Sequence, residues 1–250
     1  MATIFLYFIV LLFGLMAGSF LNCVVYRLEN NRSFLIGRSF CPRCKHVLAW
    51  YDLFPLLSFL ILRGKCSYCQ KEISWQYPLV EIAVALLFLA IFYYQLPVFS
   101  YLLTLFLIVI FVYDLKHYLI LDKIIYPAIA ITFAYDVLMS DPAKAGSDIL
   151  ISAFGAAGFF LAIVLVSRGR WMGVGDIKLA FFMGLVLGWP NIFVALFFAF
   201  FSGAIIGVGL VLGSKKSFKS EVPFGPFLVA GTLMAMFYGQ NLINWYLGLY

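Results

Sequence analysis

The sequence predicts an all-α polytopic membrane protein of about eight transmembrane helices, with one small zinc-binding cytoplasmic insert. Three observations predict it. Met1–Tyr26, Ile82–Tyr113, Ile149–Ser167, Leu179–Ser214 and Val222–Tyr250 contain no Asp, Glu, Lys or Arg, and a helix needs about 20 apolar residues to cross the hydrocarbon. Hydrophobic residues make up 65% of the chain and charged ones 11%, at a mean hydropathy of +1.04, where a soluble domain carries about 25% charge. These runs also lack the apolar-polar alternation of a membrane β-barrel.

Helices are expected near 2–22, 79–95, 98–113, 123–140, 148–167, 177–189, 191–212 and 224–247. The first lacks a basic start and a small-residue cleavage site and is followed by arginines, so it reads as a retained helix rather than a cleaved signal. Ile82–Tyr113 is too long for one span, and Gln95-Leu96-Pro97 supplies a turn within it. Gly188-Trp189-Pro190-Asn191 divides Leu179–Ser214 in the same way. The 123–140 span is the least apolar, because Asp136 interrupts it. The organisation is thus a first helix (1–22), an insert (23–78) and a helical membrane domain (79–250).

Orientation follows from the cations. The insert holds eight of the 17 basic residues: Arg27, Arg32, Arg38, Arg43, Lys45, Arg63, Lys65 and Lys71. Alternating eight spans puts Lys116, Lys123, Arg168, Arg170, Lys178, Lys215, Lys216 and Lys219 on the same side. Lys144 alone falls opposite, among Asp136, Asp141 and Asp148. The cation-rich side is therefore expected to be cytoplasmic, with both termini outside. The net charge of +6 reads as this topology signal plus attraction to membrane lipid, not as nucleic-acid binding.

The insert contains Cys41-Pro42-Arg43-Cys44 and Cys66-Ser67-Tyr68-Cys69. Two such knuckles bring four thiolates to one tetrahedral centre, the pattern of structural Zn²⁺. Cytoplasmic reducing conditions disfavour disulfides, and so short a segment has little core of its own, so metal would supply folding energy. Four protein ligands leave no open position for water, which makes Cys41, Cys44, Cys66 and Cys69 a structural set. Cys23 is a small apolar residue at the membrane edge, and His46 is a spare ligand beside a complete set.

Chemistry then falls to carboxylates. Asp114 ends the third expected span and Asp176 opens the sixth, inside Gly173-Val174-Gly175-Asp176. An acid at the hydrocarbon edge is costly and points to function. Both acids fall at the cytoplasmic boundary. Two adjacent carboxylates share a proton, one activating water while the other protonates a carbonyl; which acid takes which role stays open. Asp122, eight residues and about 80° round a helix from Asp114, is an alternative partner, a helix N-cap or a supporting residue outside the pair. His117 reads as surface and Lys178 as a snorkelling anchor.

Taken together, these residues resemble the type IV prepilin leader peptidases, bifunctional GxGD-type aspartic membrane enzymes. Gly18-Ser19-Phe20-Leu21-Asn22-Cys23-Val24-Val25-Tyr26-Arg27-Leu28 looks like the amino-terminal signature. The two cysteine knuckles follow, then Ile73-Ser74-Trp75-Gln76-Tyr77-Pro78-Leu79-Val80-Glu81. Asp114-Leu115 through Asp122, then Gly173 to Leu179, resemble the two aspartate motifs, and Val222-Pro223-Phe224-Gly225-Pro226-Phe227 the last one.

By that resemblance, Asp114 and Asp176 are the catalytic aspartates. The substrates are prepilins or pseudopilins, whose basic leader is removed at the cytoplasmic face of the inner membrane. The family also methylates the new amino terminus with S-adenosylmethionine; Asn22, Arg27 and Glu81 are the polar boundary residues available for that step, with helix capping and headgroup anchoring as the alternative. No nucleotide-type glycine motif for a separate methyltransferase domain is present. One departure is Leu121, where the family commonly has Pro. The insert's own charge repels a basic leader, which leaves its role between methylation, topology and local offset by Glu29, Asp52, Glu72, Glu81 or Glu221. Two other classes compete: a proton-coupled transporter using the same acids, and a zinc-knuckle scaffold without catalysis.

Overall fold

The computed structural model describes residues 2–30, 32–33, 37–139, 145–213 and 222–248. Asp141, Lys144, Lys215, Lys216, Lys219 and Glu221, used above for topology and charge, lie outside the described residues. Eight long helices are present among the described residues: α1 (Ala2–Glu29), α3 (Gln76–Tyr93), α4 (Phe99–His117), α5 (Asp122–Met139), α6 (Ala145–Ser167), α7 (Val174–Leu187), α8 (Asn191–Leu212) and α9 (Gly225–Leu247). The insert adds a 3-10 turn (Trp50–Leu53), a five-residue helix α2 (Leu57–Ile61) and two isolated β-bridges. Among the described residues there is no β-strand.

Six of the helices, α1, α3, α4, α6, α8 and α9, are long and apolar enough to span a bilayer. The other two fall short for separate reasons. Helix α5 carries Asp122, Lys123 and Asp136, and α7 has only 14 residues, about 21 Å at 1.5 Å per residue. Both hairpin turns read from the sequence form, with Gln95 at φ 52° and Gly188 at φ 65°.

Helix α1 continues to Glu29, seven residues past its expected end. The added turns bury Val24, Val25 and Leu28, and the buried Arg27 guanidinium donates to the carbonyl of Gly37 at 2.7 Å. Tertiary partners thus carry the helix through a segment whose polarity marked a boundary.

The chain forms two compact units, Met1–Val109 and Ile110–Tyr250. In the first, α1 lies directly on α3. A Cβ on Gly14 or Gly18 would stand 2.6 Å from the Cα of Ala85 or Glu81, so the small-xxx-small spacing lets the two backbones touch. Within lipid, where hydrophobic burial gives helices no reason to associate, this close packing supplies the attraction.

In the second unit α7 is central, packed on α5, α6, α8 and α9. Leu179, Ala180, Phe182 and Met183 on it are fully buried. Gly184 allows its approach to α6, since a Cβ there would stand 2.6 Å from the backbone nitrogen of Ala153. The helix that begins with the glycine-flanked aspartate is therefore the most firmly held in its unit.

Candidate active site and metal centre

Asp114 lies in the last turn of α4 and Asp176 in the first turn of α7; both are buried. Each helix terminus is shaped for its acid. Tyr118 closes α4 in a left-handed conformation (φ 55°) and returns its N–H to the Asp114 carbonyl at 2.9 Å. At α7, Gly173 precedes the helix in an extended conformation, and its N–H donates to Asp176 Oδ2 at 3.1 Å. The N-terminal end of α7 also places its positive dipole end at this carboxylate.

The two carboxylates are close enough to interact coulombically. A third helix start joins them. The Gly225 N–H, opening α9, donates to the Asp114 carboxylate. A Cβ at Gly225 would collide with Asp114 Oδ2 and stand 3.1 Å from its Cγ. Only glycine admits the carboxylate so near the backbone. This contact explains Phe224-Gly225-Pro226, whose part in the site the sequence did not reveal; the visible signal was a glycine next to a proline at a helix start, where proline is favoured.

The loop from Tyr118 to Leu121 closes over the glycine-flanked turn. Buried Ile120 faces Gly175, whose Cβ would lie 3.1 Å from the Ile120 Cβ. Leu121, the departure from the family's usual Pro, caps α5 through its carbonyl, which accepts from Ile124 and Ile125 at 3.0 Å. Asp122 is the first helical residue after it, and its carboxylate reaches Lys178 at 2.5 Å. The N-cap reading of Asp122 therefore gives way to an ion pair, and Lys178 is a tether rather than a free headgroup anchor. His117 packs its ring 4.5 Å from that of Tyr113 and is exposed.

In the first unit, the four cysteine Sγ atoms lie within 4.8 Å of one another, and Cys41 Sγ is 4.0 Å from Cys69 Sγ. A tetrahedral Zn²⁺ with Zn–S bonds of about 2.3 Å needs sulfurs roughly 3.8 Å apart, so this donor set fits a metal of that kind. The knuckles are built alike. Cys41 and Cys66 each accept a turn N–H and donate to the far arm, from Lys45 and to His46 in one, from Gln70 and to Lys71 in the other. Lys45 and Gln70, each following the second cysteine, are both left-handed, at φ 63° and 56°.

Burial raises the Cys41 thiol, but N–H groups of Cys44 and Arg43 and the thiols of Cys44 and Cys66 draw it down to about 7. That favours a thiolate ready for metal. His46 stacks on Tyr68 at 3.7 Å between ring centroids, so it is engaged outside the four-sulfur set. Asp52, which the sequence offered only as a possible charge offset, binds the insert together: its carboxylate accepts from Ala49 N–H (3.1 Å), Ser67 hydroxyl (2.8 Å) and Tyr68 hydroxyl (3.1 Å).

Asn22, Arg27 and Glu81 are all buried and all fasten backbone near the insert. Asn22 donates to the Tyr77 carbonyl at 3.0 Å, Arg27 to that of Gly37, and Glu81 Oε2 accepts the Leu56 N–H at 2.9 Å. Side chains join in as well: Asn22 Oδ1 accepts from Gln76 Nε2 at 3.5 Å, and the Glu81 carboxylate accepts from Ser19.

A multi-pass helical membrane protein with two interacting buried carboxylates at helix ends and a four-cysteine knuckle is a narrow class. The chain belongs to the type IV leader peptidase family. Residues 101–208 match that family, and residues 12–96 match the bacterial peptidase A24 N-terminal domain. The chain is 31% identical to the prepilin leader peptidase/N-methyltransferase of Legionella pneumophila, over 98% of this chain and 95% of the relative. It is 34% identical to the protein of that name from Bacillus subtilis (strain 168), over 96% and 97%. For the one from Aeromonas salmonicida (strain A449) the figures are 32%, over 97% and 94%. No solved structure matches the chain. The family and the apolar helices make it a multi-pass protein of the inner membrane.

Proposed function

We propose that this protein removes the basic leader of prepilins or pseudopilins and N-methylates the new amino terminus, with Asp114 and Asp176 as its peptidase residues. One observation carries the assignment of residues: two buried aspartates from different helices lie within coulombic reach, each holding one backbone N–H. Like charges so placed do not both ionise cheaply, and the pair titrates as a unit sharing a proton. The ionised member takes a proton from water, and the water oxygen attacks the scissile carbonyl. The protonated member gives its proton to the carbonyl oxygen and, as the tetrahedral intermediate collapses, a proton passes to the leaving amine. The Gly173 and Gly225 amides fix the two carboxylates for this exchange.

The side of the membrane follows from the cations. The ends of α4 and α7 that carry the aspartates share a side with the insert when eight helices alternate, and that side carries the Lys and Arg excess. The cut is then at the cytoplasmic face, and both termini are outside. The substrate's apolar segment remains in the bilayer while its leader stays in the cytoplasm.

Zn²⁺ held by Cys41, Cys44, Cys66 and Cys69 supplies folding energy to the insert. S-adenosylmethionine is the methyl donor. Asn22, Arg27 and Glu81 serve that second activity by holding the insert against α1 and α3.

The test is coexpression with a prepilin and mass spectrometry of the product, which reads cut position and added methyl together. Loss of cleavage in Asp114→Asn and in Asp176→Asn, with membrane levels unchanged, is the expected result. Normal cleavage in either variant overturns the assignment.

A further inference from the structure

The insert, polar in composition, exposes a run of apolar side chains between Trp50 and Ile61. Trp50, Tyr51, Phe54, Leu57, Leu60 and Ile61 are all exposed, Trp50 by 73%, Leu60 by 69% and Ile61 by 77%. In water such a patch is unfavourable and marks an interaction surface. We infer that the segment 50–61 is an interfacial anchor whose partner is the lipid of the adjoining leaflet, entered at the boundary between headgroups and acyl chains.

Two contacts fix its depth. The first is Phe59, whose ring lies 5.2 Å from that of Trp75 in an edge-on arrangement. Trp75 directly precedes α3 and is exposed, the position of an aromatic belt residue at the entry of a span. The second is the bond from Leu56 N–H to Glu81 Oε2. Glu81 is six residues beyond Trp75 on α3, about 9 Å further along the axis. The corner before α2 is therefore drawn below the belt. Interfacial helices bury their apolar faces by about 5–10 Å, and the lipid-facing side of α3 is itself apolar and exposed at Leu79, Ile82 and Leu86.

Charge selects lipid over the substrate leader. Arg63 and Lys65 follow the apolar edge directly and are exposed. They suit lipid phosphate and repel a basic peptide. The chain turns back there through Arg63 and Gly64, both with positive φ (50° and 72°). A Cβ on Gly64 would stand 3.2 Å from the Phe59 ring, so that ring is held between the turn and Trp75. The inference rests on the membrane reading of α1 and α3 and is independent of the peptidase assignment.

The test uses the full chain in phospholipid vesicles without prepilin. Trp75, Trp171, Trp189 and Trp245 are changed to Phe, leaving Trp50 as the reporter. Acyl-brominated lipid is expected to quench at least half of its emission, and iodide to quench it several-fold less than free tryptophan. Full iodide access with no quenching by brominated lipid overturns the inference. If the variant does not fold, the unaltered protein is labelled with a photoactivatable acyl chain and digested. Acyl adducts within 50–61 support the anchor. Adducts confined to the long helices, or a segment that is shielded only when prepilin is added, overturn it. Cleavage activity is a separate readout, so loss of the peptidase assignment leaves this result interpretable.

Discussion

Lys178 Nζ donates to Asp122 Oδ1 at 2.5 Å and stands 4.9 Å over the ring of Tyr126. The pair ties the start of α5 to the first turn of α7, two residues from Asp176. We take it as a tether outside the proposed dyad. The Asp122 side chain is 60% exposed, and exposed ion pairs contribute about 1 kcal/mol or less. Asp122→Asn is therefore expected to keep cleavage within about tenfold of the parent. Asp114→Asn and Asp176→Asn should each lose at least about 100-fold, the lower range for removing general acid-base catalysis. Rates of prepilin conversion by each variant, at equal membrane levels, check this. Complete loss with Asp122→Asn alone would move the dyad to Asp122.

Gly225→Ala tests the third helix at the site. The new methyl would collide with the Asp114 carboxylate, so the carboxylate must leave its position against the Gly225 amide. Cleavage should fall at least tenfold while thermal stability changes little, because the far end of a side chain moves more readily than backbone. Unchanged cleavage would remove Gly225 from the site.

Gly184→Val is expected to act through packing. Its Cβ would meet α6 backbone at Ala153 and 2.7 Å from the Ser152 carbonyl carbon, atoms that cannot rotate away. Overpacking of this kind costs about 1–3 kcal/mol or more. The melting temperature in detergent should drop by several degrees, and cleavage with it, since α7 carries Asp176. A variant as stable as the parent would contradict the close approach of α6 and α7.

Cys41→Ser combined with Cys44→Ser should release the metal. Metal analysis is expected to give about one Zn²⁺ per parent chain and under a tenth in the variant, with methylation reduced more than cleavage. Less than half an equivalent in the parent would count against zinc.

Asp52→Ala removes the acceptor for Ala49, Ser67 and Tyr68. Hydrogen bonds to a charged group contribute about 1.5–3 kcal/mol each, less where solvent reaches them. Zinc loss to a chelator is expected to accelerate roughly tenfold, with one equivalent still bound at the start. An unchanged rate would show that the knuckles hold without this bracket.

The membrane class, the two hairpin turns and the four-cysteine set could all be read from the chain. They depend on composition and on local spacing: charge-free runs, a glycine or glutamine able to reverse the backbone, and paired cysteines two residues apart. The same logic misjudged the end of α1. The helix was expected to end near residue 22, with Arg27 in the insert, yet the Arg27 guanidinium is held by the Gly37 carbonyl, from a segment ten residues on. The role of Asp122 stayed open in the sequence for a similar reason, since its partner is 56 residues away.

Chain order alone thus determined that this is a polytopic helical protein with two suspect acids and a thiol cluster, because hydropathy and short-range spacing act through neighbouring residues. Folding in three dimensions decided that α4, α7 and α9 bring Asp114, Asp176 and the Gly225 amide together. It also decided that the insert turns an apolar edge outward beside α3. Those outcomes depend on backbones approaching at Gly18 and Gly184 and on the Asp114 carboxylate reaching Gly225, where the absence of a side chain matters only once the other helix has arrived.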